Sequence, residues 1–249
     1  MNLTIIVLSK NNDKNLVKFL HEFLKNSPSC SLLIADYGQK RALLEKIINK
    51  RENISISYNQ NRGIYYSINN CLKLITTKYY LVLGLDDELN FLILESFLNY
   101  LSIFNGDLLF AGVIKKNKKL LYLDTSKKNI LNGPAGVFPS HTGGVAIKAD
   151  LHSKYGNYSL NLKVTSDLLF ISRCLLGNAK ADLFNFYLCN IGDKGFSKQN
   201  EFLAEYECFL IRNILGASKF KSYLIYIYRL GKRKMKRGLS NSIFKRYVS

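Results

Sequence analysis

Two hydrophobic periods alternate along the first 85 residues, and that alternation leaves few folds open. Leu3 to Leu8 is a short run with β-branched residues that gives way to the polar stretch SKNND, and it reads as a buried strand. From Asp13 the apolar residues Leu16, Val17, Phe19, Leu20, Phe23 and Leu24 recur at helical spacing until Ser27-Pro28 stops them. Leu32 to Ala35 is strand-like again, and Leu43, Leu44, Ile47 and Ile48 form a second helical face. Ile54, Ile56 and Tyr58 then alternate, Ile64 to Ile75 is helical, and Tyr79 to Leu85 is a further strand. Strands separated by helices cannot close as hairpins, so the expected sheet is mostly parallel and covered by helices on both faces.

The last of these strands ends in LVLGLDDEL, where an apolar run delivers Asp86, Asp87 and Glu88. In open parallel sheets, ligands gather outside the carboxyl ends of the strands. Asp36, which closes the second strand in LLIADYG, points to the same edge. Grouped carboxylates repel one another unless a cation sits among them. A hard divalent ion with oxygen ligands, Mn2+ or Mg2+ shared with phosphates, suits them. The competing reading is that these acids cap the helix expected over Phe91 to Phe104 at its positive end.

Further on, Leu108 to Val113 and Leu120 to Leu123 read as strands joined by the basic turn KKNKK. Residues 129–146 look loop-like and contain His141. Leu168 to Leu176 is a helix with Asp167 as its first-turn acid or cap, Ala181 to Cys189 a late strand, GDKGFS a loop, and Phe202 to Leu215 a helix stopped by Gly216. The chain therefore divides into a domain over residues 1–216 and a tail over 217–249. The formal net charge is +18, and residues 219–249 supply ten lysines and arginines with no acid. Their tyrosines and apolar residues precede a basic cluster, which suits an anionic membrane surface. The alternative is a helix packing Leu224, Ile227 and Leu230 on the domain, with a solvated end. Five scattered cysteines form no CxxC pair and predict buried thiols. The start MNLTIIVLSK lacks a basic n-region, and no apolar run approaches a membrane span, so the expected place is the cytoplasm, peripheral at the inner face of the cell membrane.

On these positions the chain resembles the family 2 nucleotide-sugar glycosyltransferases of GT-A fold, in the branch that builds bacterial surface polysaccharides. The resemblance covers residues 3–197 as an ordered series of weak motifs. TIIVLSKNND is similar to the opening strand and loop. LIADYG is similar to the strand whose acid contacts the nucleotide base, here Asp36. RGIYYSINNCLKLITTKYYLVLGLDDEL resembles the segment in which Gly63, Ile64 and Tyr65 open a helix, Asn69 follows, and the strand ends in a metal motif at Asp86 and Asp87. PSHTGGVAIKADLHSKYGNYSLNLKVTSDLLFISR is similar to the acceptor-side segment, with His141 first and Asp167 opening a later helix. The departures are Gly84 at the first position of the Asp-x-Asp-Asp motif, Tyr66 where relatives often have Asp, and no Ser-x-Asp after the glycine in DYGQKR.

The resemblance implies an inverting, metal-dependent transfer of a sugar from a nucleotide-diphosphate donor to a glycan or lipid-linked hydroxyl. It implies Asp167 as the general base, Asp86 and Asp87 at the metal, and Asp36, Gly63, Asn69, Asp86 and His141 at the donor. Arg62, beside the helix that Gly63 opens, adds a positive group for the phosphates. On the residues alone, Asp167 reads as a helix cap, Arg62 as a solvated arginine, and His141 as an ordinary loop histidine. The GDKGFS loop, with Gly192, Gly195 and Ser197, is a candidate lid. The rival readings are a basic nucleic-acid-binding protein, a nucleotidyltransferase and a catalytically degenerate relative. No RNA- or DNA-binding motif appears, so nucleic acid is not the expected partner, and the position after the first strand, SKNNDKN, lacks the glycine-rich phosphate loop of a nucleotidyltransferase.

Overall fold

A computed structural model describes residues 1–9, 13–36, 48, 51–58, 62–139, 141–192 and 195–246, with the backbone alone for 13 and 236–246. The chain opens with β1 (Leu3–Ser9), α1 (Asp13–Asn26), β2 (Ser31–Asp36), β3 (Ile54–Tyr58), α2 (Ile64–Leu72) and β4 (Tyr79–Gly84). The helix expected over Leu43 to Ile48 lies almost wholly outside the described residues. β5 (Glu88–Leu89), α3 (Phe91–Ile103), β6 (Leu108–Lys115), β7 (Lys118–Leu120) and α4 (Lys127–Asn132) follow. Two 3-10 turns then lead into β8 (Val145–Lys148), α5 (Leu151–Tyr155), α6 (Ser166–Leu176), β9 (Ala181–Ile191), α7 (Phe196–Gln199), α8 (Glu201–Ile214) and α9 (Lys219–Arg246).

The sheet runs β3-β2-β1-β4-β8-β6-β9-β5, with β7 paired to β6. β1 pairs in parallel with both β2 and β4, and β2 with β3, as the alternating pattern requires. β8 is antiparallel to β4 and β6, and β6 is parallel to β9. The sheet is thus mixed but mostly parallel, with helices on both faces. Alternation along β1 explains the two cores. Leu3, Ile5 and Val7 face Leu16, Leu20 and Phe23 of α1 and Leu94 and Phe97 of α3. Ile6 faces the other way, with Tyr65, Ile68 and Cys71 of α2 and the apolar residues of α6. All five cysteines are free and buried.

The structure differs from the sequence expectation at several points. The stretch 129–146, expected to be a loop, overlaps the end of α4 and the start of β8, a four-residue strand preceded by two glycines that gives too short a pattern. β7 ends at Leu120, since Lys116 and Asn117 take positive φ of 50° and 60° and turn the chain tightly. The acids Asp86 to Glu88 do not cap α3: Asn90 does, its side chain accepting from the Ile93 N–H at 3.2 Å.

From Gly216, with φ 85°, the chain turns into α9, which packs on α8. Leu224 and Ile227, expected on the packed side, are 51% and 47% exposed, and the contact is made by other residues. Among the described residues no helix is long and apolar enough to cross a membrane.

Candidate active site

β1 is the strand at which the chain order reverses, β2 and β3 lying on one side and β4 on the other. Such switch points open a crevice at the carboxyl ends. Ser9 of β1 pairs with Asp36 of β2, and Leu8 with Gly84 of β4, so the ends of three neighbouring strands meet at one edge. Asp36 is buried there, two strands and therefore about 10 Å from the end of β4.

Asp86 and Asp87 occupy the turn between β4 and β5, and they do different work. Asp87 is a clasp. Its Oδ2 accepts the Gly84 N–H and its Oδ1 the Gly192 N–H, both at 3.0 Å, which ties the end of β4 to the end of β9. Burial pushes its carboxyl up to about 7, against the pull of those two amides. Asp86, by contrast, has a buried Oδ2 with no hydrogen-bond partner. Two glycines frame it: a Cβ on Gly192 would run into the Asp86 carbonyl and lie 2.6 Å from Oδ2, and one on Gly195 would lie 3.1 Å from Oδ2. An orphaned buried carboxylate oxygen in a glycine-walled cradle calls for a cation.

Gly84 is packed against the same group. A Cβ there would stand 2.9 Å from Asp86 Oδ1 and 3.0 Å from Asp87 Oδ2. The absence of a side chain at Gly84 is thus part of how the two carboxylates fit. Among the described residues, no three or more His, Cys, Asp or Glu side chains gather as a metal cage. The donor set fits an ion that takes one protein carboxylate and completes its shell with phosphates and water.

His141 stands between the acids. The Gly143 N–H donates to its Nδ1 at 3.2 Å, which fixes the tautomer with the proton on Nε2, and Nε2 lies 3.4 Å from Asp87 Oδ2. Burial, helped by the Lys115 charge, pushes the imidazole down to about 4, so it is neutral, while the charges of Asp167 and Asp86 act on it in the opposite sense. His141 therefore lies within electrostatic reach of Asp86 and Asp167 together.

Asp167 sits in the first turn of α6, half-buried, with its Oδ1 2.6 Å from the Tyr65 hydroxyl of α2. Burial raises its pKa, and the tyrosine hydrogen bond opposes that shift. Thr165, without a side-chain cap hydrogen bond, takes the N-cap position of α6, and Asp167 is the acid of its first turn, where backbone amides also pull its pKa down. What positions the acid is a residue the sequence reading passed over. Glu207, buried on α8, accepts the N–H groups of Lys163 at 2.6 Å and of Val164 and Thr165 at 2.9 Å, and the Thr165 hydroxyl at 2.9 Å. Successive backbone donors converging on a carboxylate form a nest that locks the entry to α6. The available signal was an acid on the apolar stripe of Ala204, Cys208, Ile211 and Leu215.

The remaining predicted residues are spread more widely. Asn69 has its amide committed to both backbone groups of Tyr158, donating to the carbonyl at 2.9 Å and accepting the N–H at 3.1 Å. Gly63, at φ 102°, precedes α2, and the exposed Arg62 guanidinium lies 5.4 Å from the Tyr66 ring centroid. Tyr66 thus meets a cation with its ring. Ser197, in the glycine loop that closes on Asp86, lies in the short exposed helix α7.

Set beside known proteins, the sequence matches no family model and no curated protein. Its structure does have solved neighbours. The crystal structure of S. aureus TarS 1-349 superposes with TM-score 0.62 at 15% identity, covering 89% of this chain and 68% of that one. The same protein in complex with UDP-GlcNAc gives TM-score 0.61 at 14% identity, over 89% and 69%. The mannosyltransferase PcManGT from Pyrobaculum calidifontis, in complex with GDP-Man and Mn2+, gives TM-score 0.62 at 12% identity, over 90% and 68%. The fold is GT-A-like. Identities this low show architecture alone. Within the GT-A-like frame, Asp86 and Asp87 follow β4 at the switch point, and His141 reaches Asp87 from the second half of the chain.

Proposed function

We propose that this chain is an inverting glycosyltransferase that moves a sugar from a nucleotide-diphosphate donor to a hydroxyl of a glycan or lipid-linked acceptor. The acceptor belongs to a bacterial surface polysaccharide such as lipopolysaccharide, O-antigen or capsule. The observation that carries this reading is the orphaned, glycine-framed Asp86 carboxylate just beyond the end of β4, at the carboxyl edge of a GT-A-like sheet. The neighbours solved with UDP-GlcNAc and with GDP-Man and Mn2+ support a nucleotide-sugar donor.

In this reading Asp36 meets the nucleotide base, and Arg62 with the amino end of α2 at Gly63 faces the phosphates. Asp86 would hold a divalent ion, with Asp87 bracing the turn. When bound, that ion neutralises charge developing on the departing diphosphate. Asn69 contributes by fixing Tyr158 and the segment that leads to Asp167.

Asp167 carries the proton chemistry. With Oδ1 held by Tyr65, Oδ2 accepts the proton of the acceptor hydroxyl as the new glycosidic bond forms. The raised pKa makes Asp167 a stronger base than an exposed carboxylate. Attack from the side opposite the leaving diphosphate inverts the anomeric centre. His141 Nε2–H stays within the acid cluster as a neutral donor that adds no charge. Residues 217–249 form an appendage to the transferase domain of residues 1–216, holding the enzyme at the inner face of the cell membrane.

A calorimetric screen of UDP-, GDP- and dTDP-sugars with Mn2+ or Mg2+ present tests the donor. Binding of one class, followed by transfer of inverted configuration read by NMR, is expected. No binding of any nucleotide sugar would remove the reading.

A further inference from the structure

Among the described residues, one side of helix α9 between Phe220 and Met235 is exposed, and the transferase chemistry makes no use of it. Its packed side is well defined. The Tyr226 ring meets Phe209 and Tyr206 of α8 at centroid distances of 5.4 and 6.2 Å. Arg229 and Arg233 reach Glu205 at 3.5 and 2.6 Å, and Arg233 also reaches Glu201 at 3.0 Å. Ser222, 1% exposed, lies on the same side.

At about 100° per residue, the opposite side of the helix carries six exposed apolar residues over an arc of roughly 140°, interrupted by the exposed Lys234 and Gly231. Reading round it, the residues are Tyr223, Ile227, Phe220, Leu224, Met235 and Tyr228, all exposed, with Phe220 at 73%. Exposed lysines border the arc, Lys219 on one flank and Lys221 and Lys232 on the other. Isolated apolar residues on a surface need no explanation, but six on one helix face do.

We infer that this face of α9 lies in the headgroup layer of an anionic phospholipid bilayer, its apolar arc inserted and its bordering lysines on the lipid phosphates. Charge selects this occupant. Residues 219–249 hold ten cations and no acid. On the packed side Glu201 and Glu205 engage Arg229 and Arg233, so the uncompensated cations include those beside the arc. A second copy of the chain would bring the same basic edge against this one, which opposes self-association. An aromatic and aliphatic stripe between lysines is the pattern of a helix lying in the plane of the interface.

Flotation of the full chain with phosphatidylglycerol-containing vesicles, against vesicles of phosphatidylcholine alone, tests this. One variant combines Leu224→Ser, Ile227→Ser and Tyr228→Ser, leaving the packed side intact. A second combines Lys219→Glu, Lys221→Glu and Lys232→Glu. The chain should float with the anionic vesicles only, and each variant should lose about tenfold or more in partitioning while its melting temperature is kept. Absence of flotation overturns the inference, and so does flotation that the serine variant leaves unchanged. Sedimentation as a dimer that the serine variant converts to monomer would assign the face to a second copy and also overturn it. Vesicle partitioning is read without turnover, so its failure leaves the transferase reading standing, and failure of the donor screen leaves this one standing.

Discussion

The hydroxyl of Tyr65 faces two acceptors at once, Asp167 Oδ1 at 2.6 Å and the Val164 carbonyl at 2.8 Å, with one proton to give. When Asp167 is ionised, the tyrosine donates to it. Once Asp167 has taken a proton, its own O–H can donate to the tyrosine oxygen, and the tyrosine proton turns to Val164. Both protonation states then have matched hydrogen bonds, which suits a base that gains and loses a proton in each cycle. Tyr65→Phe removes the donor that favours the ionised form, so the raised pKa of Asp167 should rise further. The acidic limb of the kcat/KM profile should move to higher pH, with kcat at neutral pH reduced. Asp167→Asn should abolish transfer and leave donor binding near normal by calorimetry. Turnover by Asp167→Asn at the wild-type rate would remove Asp167 as the base.

Two buried histidines predict acid sensitivity of the fold. His152 donates from Nδ1 to the Gly156 carbonyl at 3.0 Å, so its Nε2 accepts the Tyr80 hydroxyl at 2.7 Å, and its ring stacks on Phe170 at 4.1 Å. Burial pushes it down to about 4, as it does His141. In the unfolded chain both take a proton near pH 6.5, whereas in the fold they stay neutral until about pH 4. The unfolded state therefore binds more protons in that window, and stability should fall as pH is lowered through it. His152→Gln should make the decline in melting temperature between pH 6.5 and 4 shallower, with a contribution on the order of 2 kcal/mol.

Glu207 predicts a change of the opposite kind, large and independent of donor chemistry. Glu207→Gln keeps the shape but sets an amide NH2 against one of the backbone N–H groups it now receives. Loss of a buried acceptor costs roughly 1–3 kcal/mol. Denaturant unfolding should register that loss. Turnover should fall further than stability explains, because residues 163–165 set the start of α6 and with it Asp167. Unchanged turnover in a variant that is measurably less stable would mean the clasp has no part in placing the base.

Much of the frame was legible because β1, β2 and β4 are buried on both faces, which writes them as unbroken apolar runs between helical periods. β8 was not, since its hydrogen-bond partners β4 and β6 come from elsewhere in the chain and its own four residues carry little pattern. The acids after β4 could be seen, but their division of labour could not. Only the pairing of Asp87 with Gly192, 105 residues away, distinguishes the clasp from the open carboxylate. Asn69 is the instructive case: its place on α2 suggested a donor contact, whereas its amide is spent on Tyr158, 89 residues on. Partners so distant leave no local mark, and the Tyr65–Asp167 contact spans 102 residues in the same way.

Gly84 gives the sharpest test of how the acidic turn works. Gly84→Asp adds a carboxylate beside two others, which on charge alone should tighten metal binding. The geometry says otherwise. The new Cβ would lie 2.9 Å from Asp86 Oδ1 and 3.0 Å from Asp87 Oδ2, nearer than side-chain carbons come to such atoms, so both acids must move. Moving Asp87 strains the bonds from Gly84 and Gly192, and with them the cradle around Asp86. Calorimetry of Mn2+ with UDP should therefore show affinity weakened or unchanged in Gly84→Asp. Gly192→Ala, whose Cβ would meet the Asp86 carbonyl and its Oδ2 at 2.6 Å, should weaken binding more strongly, because backbone cannot give way as a side chain does. Tighter metal binding by Gly84→Asp would mean that the turn is loose enough to accept a third carboxylate, and that the glycine is a loss of function rather than a requirement of fit.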